Sequence, residues 1–158
     1  MRLTSASLES QQSVTSFVED LAGEPLFADK LLQAATSAAE DNGLGVEPGH
    51  PLVHRVAVLR GRRSRCPYVQ AETWYIPDRL PAPVNKQLEE TDDPIGRIFA
   101  QSHLPMVRTA LRAALPVTQA PSDVVLARQY RIDSGGRPVM AVAEWFLGAL
   151  TEFLGVGD

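Results

Sequence analysis

Apolar residues recur at helical spacing near the start of the chain. Phe17, Val18 and Leu21 form one stripe, and Leu26, Phe27, Leu31 and Leu32 begin another. The pattern predicts helix over residues 13–41, broken around Gly23-Glu24-Pro25 and stopped by Asp41-Asn42-Gly43, with a Gly/Pro-rich loop to Gly49. The period then changes to two. Strands are expected at 52–60 and 67–76, joined as a hairpin through a turn built on Gly61, and Pro81 and Pro83 end that section. A short helix from Asn85 to Glu90 follows. A second is opened by Asp93-Pro94, an N-cap and N1 pair, and reaches His103; a third runs from Met106 to Leu115. Two last strands, 123–132 and 137–147, flank the turn Asp133-Ser134-Gly135-Gly136. With no repeat and no linker, the order predicts one α+β domain over residues 1–158, its sheet mainly antiparallel and its helices packed on one side.

Strand alternation assigns each side chain to a face, and four charges fall among apolar neighbours. Arg55 shares a face with Val53, Ala57 and Leu59. Arg128 lies with Val124, Leu126, Tyr130 and Ile132, and Glu144 with Met140, Val142 and Phe146. Glu72 lies with Tyr68, Trp74 and Ile76, a face that reads as the outer one, and is assigned a structural role. Each buried charge needs a partner, water or a ligand, and cross-sheet pairing would satisfy that need. Two arginines and two carboxylates on apolar strands in so small a domain also fit a closed pocket for an anionic small molecule.

Composition narrows the choice. The chain has 158 residues, 44% hydrophobic and 22% charged, which fits one globular domain. A net charge of −4 and a pI near 5.4 argue against nucleic acid as a partner. The N-terminus has no apolar signal core, no stretch is long enough to span a membrane, and one cysteine, Cys66, allows neither an internal disulfide nor a cysteine metal cage. A cytoplasmic location is expected.

Other signals weigh little. His50 and His54 stand four apart, but Pro51 and the strand pattern deny them the helix that would join them at a metal, so no metal site is expected. No G-x-S-x-G elbow occurs, and Gly43-x-Gly45 lacks the lysine of a phosphate loop. The basic run Arg60 to Arg65 reads as a solvated hairpin tip, and Cys66, beside Pro67, as an inert residue at a strand start.

An ordered set of segments carries more. His54-Arg55-Val56, Ala71-Glu72-Thr73, Leu80-Pro81 and Asp93-Pro94-Ile95-Gly96 come first. Ala127-Arg128-Gln129-Tyr130-Arg131, Ser134-Gly135-Gly136-Arg137-Pro138-Val139-Met140 and Glu144-Trp145-Phe146 follow. Over residues 50–150 this set resembles the chorismate pyruvate-lyase family, the 4-hydroxybenzoate synthases, and most of all its actinobacterial branch. The resemblance implies an antiparallel sheet with helices on one side and a sealed pocket needing no metal and no organic cofactor. It implies that Arg55 holds a substrate carboxylate and Glu144 faces the ring hydroxyl, while backbone at Ile95 and Gly96 lines the pocket. Gln12-Ser13-Val14-Thr15 echoes a further family segment and adds Thr15. Gln12 stands where the family usually has glycine. An arginine of the enterobacterial type is unmatched, Met106 taking its place with Arg108 nearby, and the chain stops soon after Glu144.

Chorismate carries two carboxylates, an enolpyruvyl ether at C3 and a hydroxyl at C4. Loss of pyruvate from C3 and a proton from C4 makes the ring aromatic, so orientation, charge balance and a proton path suffice. The expected roles are Glu144 as catalytic residue, Arg55 on one carboxylate and Arg128 on the other, with Ile95, Gly96 and Thr15 completing the binding site. Two alternatives stay open. One is a relative acting on 4-amino-4-deoxychorismate or another ring substrate; the other is a non-catalytic sensing module, which would call for an attached helix-turn-helix.

Overall fold

The computed structural model describes residues 13–111 and 114–153. Helix α1 (Val14–Ala22) leads into β1 (Leu26–Ser37), β2 (Pro51–Gly61) and β3 (Pro67–Tyr75). Helices α2 (Ala82–Glu90) and α3 (Ile95–Gln101) come next, then β4 (Val107–Thr109), β5 (Val124–Ser134) and β6 (Arg137–Leu147), and a closing 3-10 turn, Gly148–Phe153. The six strands form one antiparallel sheet in the order β1-β2-β3-β6-β5-β4. The α+β expectation and both hairpins hold.

Two expected helices are strands, and each has a physical reason. Residues 26–37 pair with β2 through a register shift between Lys30 and Leu32, which leaves Leu31 as the extra residue of a bulge. The bulge shifts the phase of alternation, so Lys30 and Gln33 lie opposite Ala57 and Arg55, on one face although three residues apart. Two strand halves out of phase imitate a helical stripe. Within the expected helix from Met106 to Leu115, residues 107–109 are instead the short edge strand β4, and the other described residues are not helical. Leu111 and Leu115 both reach an apolar cluster on the outer face of the sheet, which accounts for their apolar character.

Both faces of the sheet are buried. On the inner face, α2 and α3 place Val84, Leu88, Ile98 and Phe99 against Tyr75, Ile132, Met140 and Val142, and α1 places Val14 and Val18 against Leu59, Val69 and Phe146. On the outer face, Ala141, Ala143, Trp145 and Leu147 of β6 pack with Leu44 and Val46 from the loop before β2 and with Leu115 and Val117. Strand β6 is therefore apolar at almost every position, as a strand covered on both sides must be.

Arg62 to Arg65 at the hairpin tip are exposed, as expected, yet the run is also held by partners. Arg60 bonds Asp29 at 2.9 Å, Arg62 bonds Asp92 at 2.7 Å, Arg63 donates to the Gly23 carbonyl, and Arg65 sits over the Phe27 ring. Glu24 enters the turn and accepts from the Arg63 and Ser64 amides and the Ser64 and Tyr68 hydroxyls. A Cβ at Gly61 would run into that carboxylate, which is why the turn has glycine there. The Ser64 bonds, first among these, lower the Glu24 pKa to about 2.

Candidate active site

The inner face does not meet its helices everywhere. Between α1, α3 and the sheet lies a cavity of about 350 Å³. Its floor is made of small side chains in adjacent cross-strand rows. Ala57, Ala71 and Glu144 pair in sequence across β2, β3 and β6, and Arg55, Thr73 and Val142 form the next row. The alanines leave room that larger residues would fill. Ser13, Val14 and Thr15 from the start of α1 and Ile95 and Gly96 from the start of α3 form the opposite wall. Gly96 permits the approach of the two helix ends, since a Cβ there would lie 3.0 Å from Thr15 Oγ1 and 3.1 Å from Ser13 Cβ.

Arg55 closes one end of the cavity, and it is only 2% exposed. Its Nη1 donates to the Leu88 carbonyl at 3.2 Å and, at 3.5 Å, to Gln33 Oε1. Leu88 belongs to the last turn of α2, where carbonyls lack helical partners and the helix dipole favours a cation. Lys30 caps the same turn through Leu88 and Glu89. Among the described residues no carboxylate pairs with Arg55. Burial lowers its pKa to about 10, so the guanidinium stays charged at neutral pH with neutral oxygens as its hydrogen-bond partners.

The opposite end is a cluster. Glu144 and Arg128 are direct cross-strand neighbours, with Nε donating to Oε1 at 2.7 Å. Tyr130, two residues further along β5 on the same face, donates its hydroxyl to Glu144, and burial followed by the Glu144 charge raises its pKa well above the usual value. Its ring lies 4.9 Å from the Arg128 guanidinium and 5.6 Å from that of Arg108 on β4. Arg55 and Tyr130 lie in one row, three strand spacings or about 14 Å apart along the sheet. A cation stands at one end, a carboxylate flanked by a phenol and two guanidiniums at the other, with apolar walls between.

Of the residues expected from the sequence, Arg55, Glu144, Thr15, Ile95 and Gly96 come together on this cavity. Arg128 is held against Glu144 and is not among the residues that line the cavity. Met106 and Arg108 both line the cavity. Tyr130 is a residue the sequence reading left unassigned, although its place between Arg128 and Ile132 marked its face. Gln12 lies outside the described residues. Glu72 is on the outer face, fully buried, and accepts from His54 Nε2, the Thr118 amide and hydroxyl, and the Gln119 amide. His54 in turn stacks on Trp74 at 5.0 Å.

Residues 8–154 match the family described as chorismate pyruvate-lyase Rv2949c-like. The chain belongs to that family. A chorismate pyruvate-lyase from Mycobacterium tuberculosis is 35% identical over 105 residues, which are 61% of this chain and 53% of that protein. The chain thus spans about half the length of that relative. The chorismate pyruvate-lyase of Mycobacterium leprae is 29% identical over 149 residues, 85% of this chain and 69% of that one. Among solved structures, the effector domain of PhnF from Mycobacterium smegmatis superposes with a TM-score of 0.56 at 14% identity, covering 89% of this chain and 91% of that. A GntR-family transcriptional regulator from Bacillus cereus gives 0.51 at 13% identity, covering 84% of this chain and 99% of that. At these identities the likeness is one of fold.

Proposed function

We propose that this chain is a chorismate pyruvate-lyase, releasing pyruvate from chorismate and leaving 4-hydroxybenzoate. The observation that carries the reading is Arg55, a buried guanidinium on an apolar cavity wall whose partners are neutral oxygens. A ligand carboxylate supplies the missing counter-charge, and the guanidinium fork can hold it through two bonds. The ring carboxylate of chorismate fits that end. The ring then lies over Ala57, Ala71 and Thr73, and C4 with its hydroxyl approaches Glu144.

Arg128 takes a different part in this reading from the one its sequence suggested. Bonded to Glu144, it keeps the carboxylate in place, while Arg108 on the cavity wall takes the enolpyruvyl carboxylate. First-turn amides at Thr15, Ile95 and Gly96 complete the wall against that dianion. Cleavage needs no electron transfer. Breaking the C3–O bond and removing the C4 proton yields an aromatic ring, so side chains that orient, balance charge and move protons are sufficient. The reading carries a cytoplasmic location, because a dianion crosses bilayers poorly. It needs neither nucleic acid nor membrane as a partner.

The test is direct. Purified protein incubated with chorismate should form 4-hydroxybenzoate and pyruvate in equal amounts, at a rate that EDTA leaves unchanged. Turnover of 4-amino-4-deoxychorismate but not chorismate would move the assignment to a different ring substrate. Inertness toward both, with tight binding of 4-hydroxybenzoate, would make the chain a binding domain.

A further inference from the structure

We propose that Tyr130 is a second catalytic residue, the acid that protonates the departing enolpyruvyl oxygen and regains its proton from Glu144. The proposal rests on the chorismate reading of the cavity and assigns a step which that reading leaves open. An elimination of this kind must take a proton at C4 and deliver one to the leaving oxygen. Glu144 alone can do the first. The second needs a group that is protonated at rest, reaches the cavity and can be recharged.

Tyr130 meets all three conditions. It lines the cavity, and its hydroxyl already donates to Glu144. The charged groups around it are Glu144 from β6, Arg128 on its own strand, Arg108 from β4 and, at the far end of the same cross-strand row, Arg55 from β2. The facing positions of β3, α1 and α3 (Thr73, Ser13, Val14, Thr15, Ile95 and Gly96) carry no charge. Burial and the Glu144 charge keep the phenol protonated, whereas Arg128 and Arg108 favour its anion. When Glu144 becomes protonated, the negative charge that held the proton on Tyr130 disappears and the two guanidiniums remain. The phenol therefore becomes a stronger acid at the moment Glu144 has acted as base.

The proton count closes. Glu144 takes the proton from C4, and the C–H electron pair becomes the C3=C4 bond of the aromatic ring. The C3–O bond breaks, and its electron pair leaves on the enolpyruvyl oxygen. That oxygen takes the Tyr130 proton, and Tyr130 takes the one held by Glu144 through their hydrogen bond. Both side chains return to their starting state, and enolpyruvate rearranges to pyruvate in water.

Tyr130→Phe keeps the ring between the two guanidiniums and removes only the hydroxyl. We expect kcat to fall roughly 10²- to 10³-fold, with KM for chorismate and affinity for 4-hydroxybenzoate each changed less than about threefold. A folded variant whose kcat stays within about threefold of the parent overturns the assignment. So does one in which KM and product affinity move while kcat does not. 3,5-Difluorotyrosine at position 130 keeps the hydroxyl and makes it more acidic, and it carries the test if Tyr130→Phe does not fold. The alkaline limb of the kcat–pH profile should move to lower pH, and an unmoved limb refutes the proposal. A parent protein that binds 4-hydroxybenzoate but releases no pyruvate refutes the lyase reading itself, and this assignment with it. An active parent with an indifferent Tyr130 refutes this assignment alone.

Discussion

Replacing Arg55 with methionine should make the protein more stable and nearly useless for its ligand. The reasoning starts from the environment of the guanidinium. Its pKa falls from the ordinary arginine value to about 10 because burial removes water and no anion replaces it. Holding the charge there costs about 3 kcal/mol of folding free energy. The bonds to Leu88 and Gln33 return about 1–2 kcal/mol, and Leu88 keeps its bond to Lys30 when Arg55 is gone. Met fills a similar volume without a charge, so Arg55→Met should gain about 1–2 kcal/mol, or about 2–8 °C in Tm for a chain of this size. The sign with pH is fixed as well. Folding lowers this pKa, so from about pH 10 up to the ordinary arginine value the folded chain binds fewer protons than the unfolded one. The destabilisation is therefore complete below that window and fades across it, and melts at pH 7 read all of it. The ligand pays the opposite way: a two-bond contact to a carboxylate in a water-poor cavity contributes about 2–4 kcal/mol, so KM should rise about 30- to 900-fold. Thermal melts and initial rates of pyruvate release on one preparation give both numbers. A Tm lowered by more than about 5 °C with KM unchanged would show that Arg55 serves the fold, and the reasoning would fail at its first step.

Glu144→Gln should lower kcat roughly 10²- to 10⁴-fold, because the amide keeps shape and hydrogen bonding but cannot accept a proton at neutral pH. A smaller loss in kcat with weakened 4-hydroxybenzoate binding would reduce Glu144 to an orienting group. Glu72→Gln places an NH₂ among the donors from His54, Thr118 and Gln119. It should cost about 3 kcal/mol and about 6–12 °C in Tm, leaving KM within twofold, and an unchanged melt would show that the outer-face segment does not depend on it. Glu24 has its pKa lowered in the fold, so its stabilisation is present above about pH 4.5 and lost as pH falls toward about 2. Glu24→Gln should accordingly melt below the parent at pH 7, and the gap should close by about pH 2.

Much of the inner face was legible because a strand of period two leaves little freedom. Arg55 had to share a side with Ala57 and Leu59, and Glu144 with Met140 and Val142, and the sheet brings those sides to one cavity. What alternation could not supply was which cation meets which anion. Arg128 looked like a ligand anchor because its own strand is apolar on that face. Only the register between β5 and β6 sets it opposite Glu144. Arg108 was obscured for another reason: its three-residue strand exists through pairing with residues 131–133, and a segment that short has no periodicity of its own. At β1 the extra residue Leu31 turned a strand into an apparent helical stripe.

The two faces of the sheet set a fully partnered buried charge beside one that faces a cavity. Glu72 and Arg55 are both buried, both on central strands and both amid apolar neighbours, and one row of the sheet separates them. Strand alternation alone sets each of them among apolar neighbours. In the fold, Glu72 meets an imidazole nitrogen, a hydroxyl and two amides, which is nearly all that a carboxylate can accept. Arg55, with five N–H donors, meets a helix carbonyl and one amide oxygen and is left facing a cavity. A buried charge that already has its counterpart holds the molecule together and has nothing left to offer a ligand. A buried charge without one makes the empty protein less stable, and that deficit is recovered when an anion arrives. The same difference that predicts a gain in Tm for Arg55→Met and a loss for Glu72→Gln therefore also picks the end of the cavity to which the proposed function assigns a substrate carboxylate.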